Sequence, residues 1–596
     1  MKIVKYYPYE TVDDGPKVFN LFEWKIDQYT HAFKRDADFL NEKESTFNSA
    51  DREFLNNLYQ GNLSKLTSYL NEVHKVKYRE EIWEILIGPW LRISIFAFYD
   101  RWLHIESLSK SGEVEIQTQK FSLDELIPKD FNSFHKIFYQ DKWNAHVFSL
   151  MSEIFGIKLD LTSRSTTRNG KTKKIKSSII ATTILGIVRN SFFVFAYKLI
   201  NIFNPLKKGI LLYNATSYKH LALFLFREGK GCPLVINDNT IKLPLHNRSS
   251  IYYFRRLRPF AKFKRNKIRD IKFEEFIFSL LLMTIPRTYL EDYSSLSRPF
   301  PLNMRFSSIK TIFTSTSQWN DDPFKKWLME RKNEDNYFKI IIWQHGGTYG
   351  TTEHVTHQEF IETKVYDYFL SWGWKSNGND KIIPFNIPPN LKLPTTNKKP
   401  RKKRKILVIL TRLKKYSKGD PWDSIEWNGT YMNSLIKLSN ELYKSTNIVL
   451  TYRVHPSQKF TGLDIKAYLN ENTAKSLFDE KKKLKDSITE ANLTIVTQNS
   501  TVLLQLLMAN LPVICFWDLE ISGFRSFANV EFGKLHKVGI FHDNVHSLIC
   551  FLESNNMNID EWWFSERVQS ARREFCLIYA STSKDISKRA LNLMKL

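Results

Sequence analysis

Apolar and polar positions along this chain follow two rhythms, and the change of rhythm divides it. In residues 41–76 and 78–103, leucines and aromatics recur every three to four positions between charges, which predicts two long helices within a mostly helical segment spanning 1–160. Residues 160–177 are polar and basic without periodicity, the pattern of a loop. From Gly209 onward, short continuous apolar runs alternate with helix-length stretches. Strands are expected at 209–215, 232–236, 309–315, 338–343 and 366–372, with helices at 218–228 and 321–333. Continuous apolar runs suit strands buried on both faces, and strand–helix–strand order implies a parallel sheet.

The rhythm breaks at 384–405, which holds Pro384, Pro388, Pro389, Pro394 and Pro400 and then Arg401-Lys-Lys-Arg-Lys405. It resumes with strands at 406–411, 447–453, 493–497 and 512–517 and helices at 428–444 and 501–509. A helical tail over 560–595 carries Trp562 and Trp563 near its start. The pattern reads as an α/β protein with two doubly wound, Rossmann-like domains. Its expected parts are a helical N-terminal extension with a basic loop (1–208), a first Rossmann-like domain (209–395), a basic, proline-flanked linker (396–405), a second Rossmann-like domain (406–557) and C-terminal helices (558–596). A cleft between two such domains is a natural ligand site.

Composition narrows the class. With 596 residues, 42% of them hydrophobic, and 44 Phe, 26 Tyr and 15 Trp, the chain is globular rather than disordered. Its four cysteines are far apart and form no CxxC pair, so they are expected as buried free thiols in a reducing cytosol, with no structural zinc. The first residues lack the apolar region of a secretory signal, which points to the cytoplasm. Residues 178–203 come nearest to a membrane span, but Arg189, Asn190 and Lys198 interrupt them. With Lys171, Lys173, Lys174 and Lys176 ahead, this stretch suits a core helix after an exposed loop, or a helix lying on an anionic leaflet. The net charge of +26 gathers at 255–269, 398–405 and 481–485. Such charge suits nucleic acid, anionic lipid or an anionic substrate, but no helix-turn-helix, zinc-finger or RNP pattern favours nucleic acid.

The candidate chemistry sits at strand ends. In Ile340-Ile-Ile-Trp-Gln-His-Gly-Gly-Thr-Tyr-Gly350 an apolar run stops at His345, and Gly346, Gly347 and Gly350 leave room for close approach. Asp321 and Asp322 open a helix one βα unit earlier and reach the same rim. Glu353, His354 and Glu359 follow the glycine turn as further acid–base candidates. Trp372-Gly-Trp374 ends another strand, either as core or as the wall of a sugar site. In the second domain, Arg453 and His455 lie two apart on one face of an extended chain, with Pro456 holding the histidine past the strand end. Asn499, Ser500 and Thr501 open an apolar helix whose free amides favour phosphate, although plain capping needs no ligand. No Walker A, GxGxxG, HExxH or GxSxG pattern occurs.

These segments resemble a family of transferases found in bacterial surface-polysaccharide loci. The resemblance is carried by Leu70-Asn-Glu-Val-His-Lys-Val-Lys-Tyr, Ile87-Gly-Pro-Trp-Leu91, Tyr289-Leu-Glu-Asp-Tyr293, the His345 turn, Ser371-Trp-Gly-Trp374, Val538-Gly-Ile-Phe-His-Asp543 and Trp562-Trp563, over about residues 54–580. More distantly, the His-Pro and Ser-Thr signals are similar to those of GT-B glycosyltransferases that use CMP-activated sugars of the Kdo and sialic-acid type. That resemblance implies a GT-B-like fold and a metal-independent enzyme without a cofactor beyond its nucleotide-sugar donor. It implies that the second domain binds the donor and the first an acceptor glycan. His455, Ser500 and Thr501 would then hold the CMP phosphate with Arg453 and Asn499, beside Gly346 and Gly347. His345, Asp322, Asp321 or Glu353 would handle the proton or act as nucleophile. A lipid-linked acceptor would bring the enzyme to the inner-membrane surface. Two other readings stand beside it: a CDP-polyol phosphotransferase of the teichoic-acid type, and a non-catalytic basic scaffold for RNA or membrane.

Overall fold

The longest helix, Glu80–Lys110, is apolar on nearly every face because it runs through the protein and not along its surface. It is long and apolar enough to cross a membrane, yet 94% of its apolar window is buried inside the fold. The computed structural model describes most of residues 47–161, 209–237, 271–297, 309–393 and 404–595, with Arg256 and four short strands before residue 36. The 178–203 stretch, the 162–177 loop, Cys232, residues 396–403 of the expected linker and, apart from Arg256, the 255–269 cluster lie outside the described residues.

The first lobe is a parallel sheet of six strands. They are β7 (Gly209–Tyr213), β8 (Leu234–Ile236), β9 (Ile309–Thr314), β10 (Lys339–Trp343), β11 (Tyr368–Ser371) and β12 (Ile382–Pro384), in the order β12-β11-β10-β9-β7-β8. The second is a parallel sheet of β13 (Arg404–Ile409), β14 (Ile448–Arg453), β15 (Leu493–Val496), β16 (Val513–Phe516) and β17 (Phe541–His542), ordered β14-β13-β15-β16-β17. Both orders reverse direction beside the first strand, between β7 and β9 and between β13 and β15. Ligands of open α/β sheets gather at the carboxyl ends beside such reversals. Ile341 pairs with both Phe313 and Tyr368, so β10 is an interior strand. The first strand of the second lobe begins at Arg404, two residues inside the expected linker.

The N-terminal extension departs from the all-helical expectation. The strands β1 (Lys2–Lys5), β2 (Val18–Asn20), β5 (Val114–Gln117) and β6 (Lys158–Asp160) form a small parallel sheet, and β3 (Trp24–Ile26) pairs antiparallel with β4 (Phe33–Arg35). These strands are only three or four residues long, too short for a two-residue period to register. The expected helix from residue 41 starts instead at Ser49, because Asn48 and Asp51 form a reciprocal capping box (2.8 and 3.0 Å). Of the expected buried thiols, Cys515 is buried, Cys576 half-buried and Cys550 exposed.

The extension also clamps the second lobe. The chain after β13 is laced to it: Arg52 Nη1 donates to the Gly419 carbonyl (3.2 Å), Arg101 Nη1 to that of Ser417, and Tyr416 OH to Asp141 (2.5 Å). His357, from the first lobe, joins the same knot through Nε2 and the Lys418 carbonyl (2.7 Å). Burial, aided by the charge of Arg92 and outweighing the opposing Asp420 and Asp423, pushes the His357 imidazole down to about 4 from 6.5. An unfolded chain thus binds a proton between pH 6.5 and 4 that this ring refuses. Its contribution is intact above 6.5 and fades as pH falls toward 4, a loss of roughly 3 kcal/mol at about 1.4 kcal/mol per unit. Urea midpoints measured from pH 7 to 4.5 should fall steadily, and less steeply in His357→Gln.

Candidate active site

β10 ends in a rigid socket. Gln344 Oε1 accepts from the Trp372 amide (2.8 Å) and Trp374 Nε1 (2.9 Å), while Trp372 Nε1 donates to the Gln344 carbonyl (2.9 Å). Both tryptophans are buried, so they brace the strand end and wall no sugar site. His345 emerges from this socket with its side chain 15% exposed, its Nε2 2.9 Å from Glu362 Oε1 and 2.9 Å from the Tyr349 hydroxyl. Glu362, on the His357–Lys364 helix, is fully buried. Glu359 is an acid–base candidate by sequence and Glu362 is not. The two lie three apart on one helix face, and that spacing was the available signal.

The glycine turn carries the loop into the second lobe. A Cβ on Gly347 would stand 2.4 Å from the Ser500 carbonyl carbon and 2.5 Å from the Thr501 nitrogen. Asn499 Nδ2 donates to Thr351 Oγ1 (2.7 Å), and Thr352 bridges Phe524 in antiparallel fashion. Arg525 donates from its amide to the Thr351 carbonyl (3.0 Å) and from Nε to the Thr352 carbonyl (2.8 Å), and its Nη2 pairs with the buried Glu359 (2.6 Å). Glu353 is exposed, and its amide donates to the Gly523 carbonyl (2.9 Å). The loops after β10 and β15 therefore meet at one seam, and His345, Gly346, Gly347, Glu353, Asn499, Ser500 and Thr501 are brought together.

Ser500 caps the Thr501–Met508 helix through extended backbone, but its hydroxyl makes no capping bond. The simple capping role leaves that side chain unused. Beside it, Thr411 Oγ1 hydrogen-bonds Gln498 and spans the reversal between β13 and β15. Arg412 comes next. It is half-buried and has no partner among the described residues. His455, past β14, is exposed, and its Nδ1 accepts from the Ser457 amide (3.1 Å). Burial, then the charge of Arg412, hold its imidazole below the usual range. Thr352, Trp422, Trp427, Gln498, Asn499, Trp517 and Phe524 line a narrow cleft, partly open to solvent. These residues come from four separate stretches of chain, so no local motif marks them.

Two expectations need correction. Arg453 does not face the rim: its Nη1 is taken by Asp479 (2.6 Å), Ser487 Oγ (2.9 Å) and the Lys481 carbonyl (3.0 Å). Asp322 is no free base. It is buried against Lys325 Nζ (2.7 Å) and accepts from the Phe131 amide, Thr288 Oγ1 and Tyr289 OH, each at 3.0 Å. A residue preceding a helix after a strand has two directions open to it, and packing against the extension decides for the interior. Asp321 keeps a titratable position. It accepts from the Phe324 amide (3.0 Å) and Tyr213 OH (2.7 Å), and burial pushes its carboxyl up to about 6.

A family model matches residues 22–593, and the chain belongs to the LIC12162 family of transferases. It is thus an enzyme of group-transfer chemistry. No curated protein matches it. Among solved structures it is similar to the Staphylococcus aureus MnaA–UDP co-structure at 13% identity, covering 65% of this chain and 96% of that one, with a TM-score of 0.36. It is similar to Acinetobacter baumannii MurG at 12% identity, over 65% of this chain and 100% of that one, with a TM-score of 0.32. TarM matches at 13% identity over 48% of this chain and 55% of that one, with a TM-score of 0.33.

Proposed function

We propose that the protein is a glycosyltransferase that moves a sugar from a nucleotide donor onto a growing cell-surface glycan, with a CMP-activated ulosonic acid such as Kdo as the first donor to test. One observation carries this reading: the His345 turn of the first lobe lies against the Ser500–Thr501 helix start of the second. A proton-handling imidazole and an anion-favouring helix end thereby share one groove. The donor phosphate is met by the Thr501 helix amides, Ser500, Arg412 and His455, and the aromatic cleft takes the nucleoside or sugar face. His345 takes the acceptor hydroxyl proton, the acceptor oxygen bonds to the anomeric carbon, and the bond to phosphate breaks with its electron pair leaving on the nucleotide. Asp321 and Glu353 are the secondary proton carriers. A lipid-linked acceptor at the inner-membrane face fits the basic surface.

The test is incubation of the purified protein with CMP-, CDP- and UDP-linked donors, with and without glycan acceptors. Nucleotide release that rises with acceptor supports the reading. A phosphodiester product from a CDP-polyol would replace glycosyl transfer by phosphate transfer at the same groove. Arg412→Ala should raise the donor KM about ten- to a hundredfold, the value of one or two charge-assisted hydrogen bonds. Arg453→Ala should change the KM little while lowering stability, because it breaks the Asp479 pair. Donor titrations on the two variants check both.

A further inference from the structure

The buried carboxylate behind His345 has contacts whose direction can be assigned atom by atom. Glu362 Oε1 receives Trp319 Nε1 (2.6 Å), which can only donate. It also receives Gln318 Nε2 (2.7 Å), and that amide's orientation is set independently, since the same nitrogen donates to the Ser315 carbonyl (2.9 Å). Glu362 Oε2 receives the Tyr349 hydroxyl (2.8 Å). Burial, followed by the Glu362 charge, holds that phenol well above its ordinary range, so it stays protonated and able to donate. The remaining contact on Oε1 is His345 Nε2, at 2.9 Å. An oxygen already filled by two fixed donors is an acceptor toward its third neighbour, so Nε2 carries a proton. The second ring nitrogen, Nδ1, then holds the lone pair and has no partner among the described residues. Gly346 and Gly347 follow directly, and the ring is partly exposed.

We propose that Glu362 is a positioning residue that fixes the tautomer of His345, making Nδ1 the atom that receives the acceptor's proton. This rests on the glycosyl-transfer reading for the identity of the acceptor but not for the tautomer. When Nδ1 takes the proton, the resulting imidazolium faces a buried carboxylate, the arrangement that holds a catalytic base in orientation and stabilises its charged form. The other ionisable groups around the ring are committed. Glu359, on the same helix, is paired with Arg525 (2.6 Å), and Tyr349 and Tyr366 are buried phenols held well above their ordinary range. Trp319 and Gln318 come from the short Ser317–Asn320 helix after β9, so two neighbouring βα units converge on one carboxylate.

The experiment is nitrogen NMR of histidine-labelled protein, with the His345 signal assigned by its loss in His345→Gln, together with steady-state kinetics across pH. The expected spectrum shows His345 protonated at Nε2 and bare at Nδ1. In Glu362→Leu the tautomer should become mixed and kcat should fall about a thousandfold with little change in KM. In Glu362→Gln, the side-chain oxygen can still face Trp319 and Gln318. That variant should keep the tautomer and recover about ten- to a hundredfold of the lost kcat. It also guards against misfolding of the leucine variant. A wild-type His345 protonated at Nδ1, or equal kcat in wild type and Glu362→Leu with an unchanged tautomer, overturns the assignment. Wild-type protein inert toward every nucleotide sugar refutes glycosyl transfer instead, and the tautomer signal still decides the role of Glu362.

Discussion

Gly347→Ala is expected to cut kcat/KM by at least about a hundredfold, a loss of about 2.7 kcal/mol in transition-state stabilisation. The added methyl would stand 2.4 to 2.7 Å from the carbonyl carbon, carbonyl oxygen and amide nitrogen of Ser500 and Thr501. These are backbone atoms, so no rotamer change relieves the contact. Either the glycine turn retreats from the second lobe or the first turn of the Thr501 helix unwinds. Both outcomes pull His345 away from the phosphate-favouring helix end, and displacements of about 1 Å in reacting geometry cost about a hundredfold in rate. Global stability should fall far less than activity, because the seam retains the Asn499–Thr351, Arg525–Glu359 and Thr352–Phe524 links. Kinetics beside a thermal melt separate the two effects. A fully active alanine variant would show that the lobes need not touch at this point during turnover.

Asp322→Ala is expected to destabilise the protein by about 3–5 kcal/mol, because it strands the Lys325 ammonium inside the fold. Lys325 is fully buried, with Asp322 at 2.7 Å and the Tyr289 hydroxyl at 3.0 Å. Asp322 also holds the Phe131 amide (3.0 Å) of the extension, so its loss loosens the joint between extension and first lobe. Combining Asp322→Asn with Lys325→Met removes the stranded charge and should recover most of the stability. Urea midpoints of the single and double variants measure this. Activity per folded molecule should persist in the double variant, which a proton-handling role for Asp322 would forbid.

The sequence showed the sheet lobes more clearly than the site. Strands such as β10 and β15 are buried on both faces, so their apolar runs stand out, and the strand ends carrying His345 and Ser500 could be read directly. Relations across the fold could not. Glu362 is separated from His345 by a whole turn and half a helix, and only folding reveals which carboxylate the imidazole meets. Arg453 and Arg412 look alike as basic residues near strand ends. A strand residue's side is set by register, and Asp479 claims the first, while Arg412 lies beyond its strand. The helical extension hid its strands because they are short, and its role as a clamp because the knot joins residues some 300 positions apart, such as Arg101 and Ser417.

The knot around residues 416–420 and the seam at 351–359 are neighbouring attachments: His357 of the first lobe belongs to both, and the extension reinforces the knot through Arg52 and Arg101. Lobes fastened along one continuous strip keep a single easy motion, rocking about that strip. Pulling the halves straight apart would break these bonds in every cycle. The strip should therefore act as a fixed axle, with the crevice walls tilting by small angles to admit and release what passes.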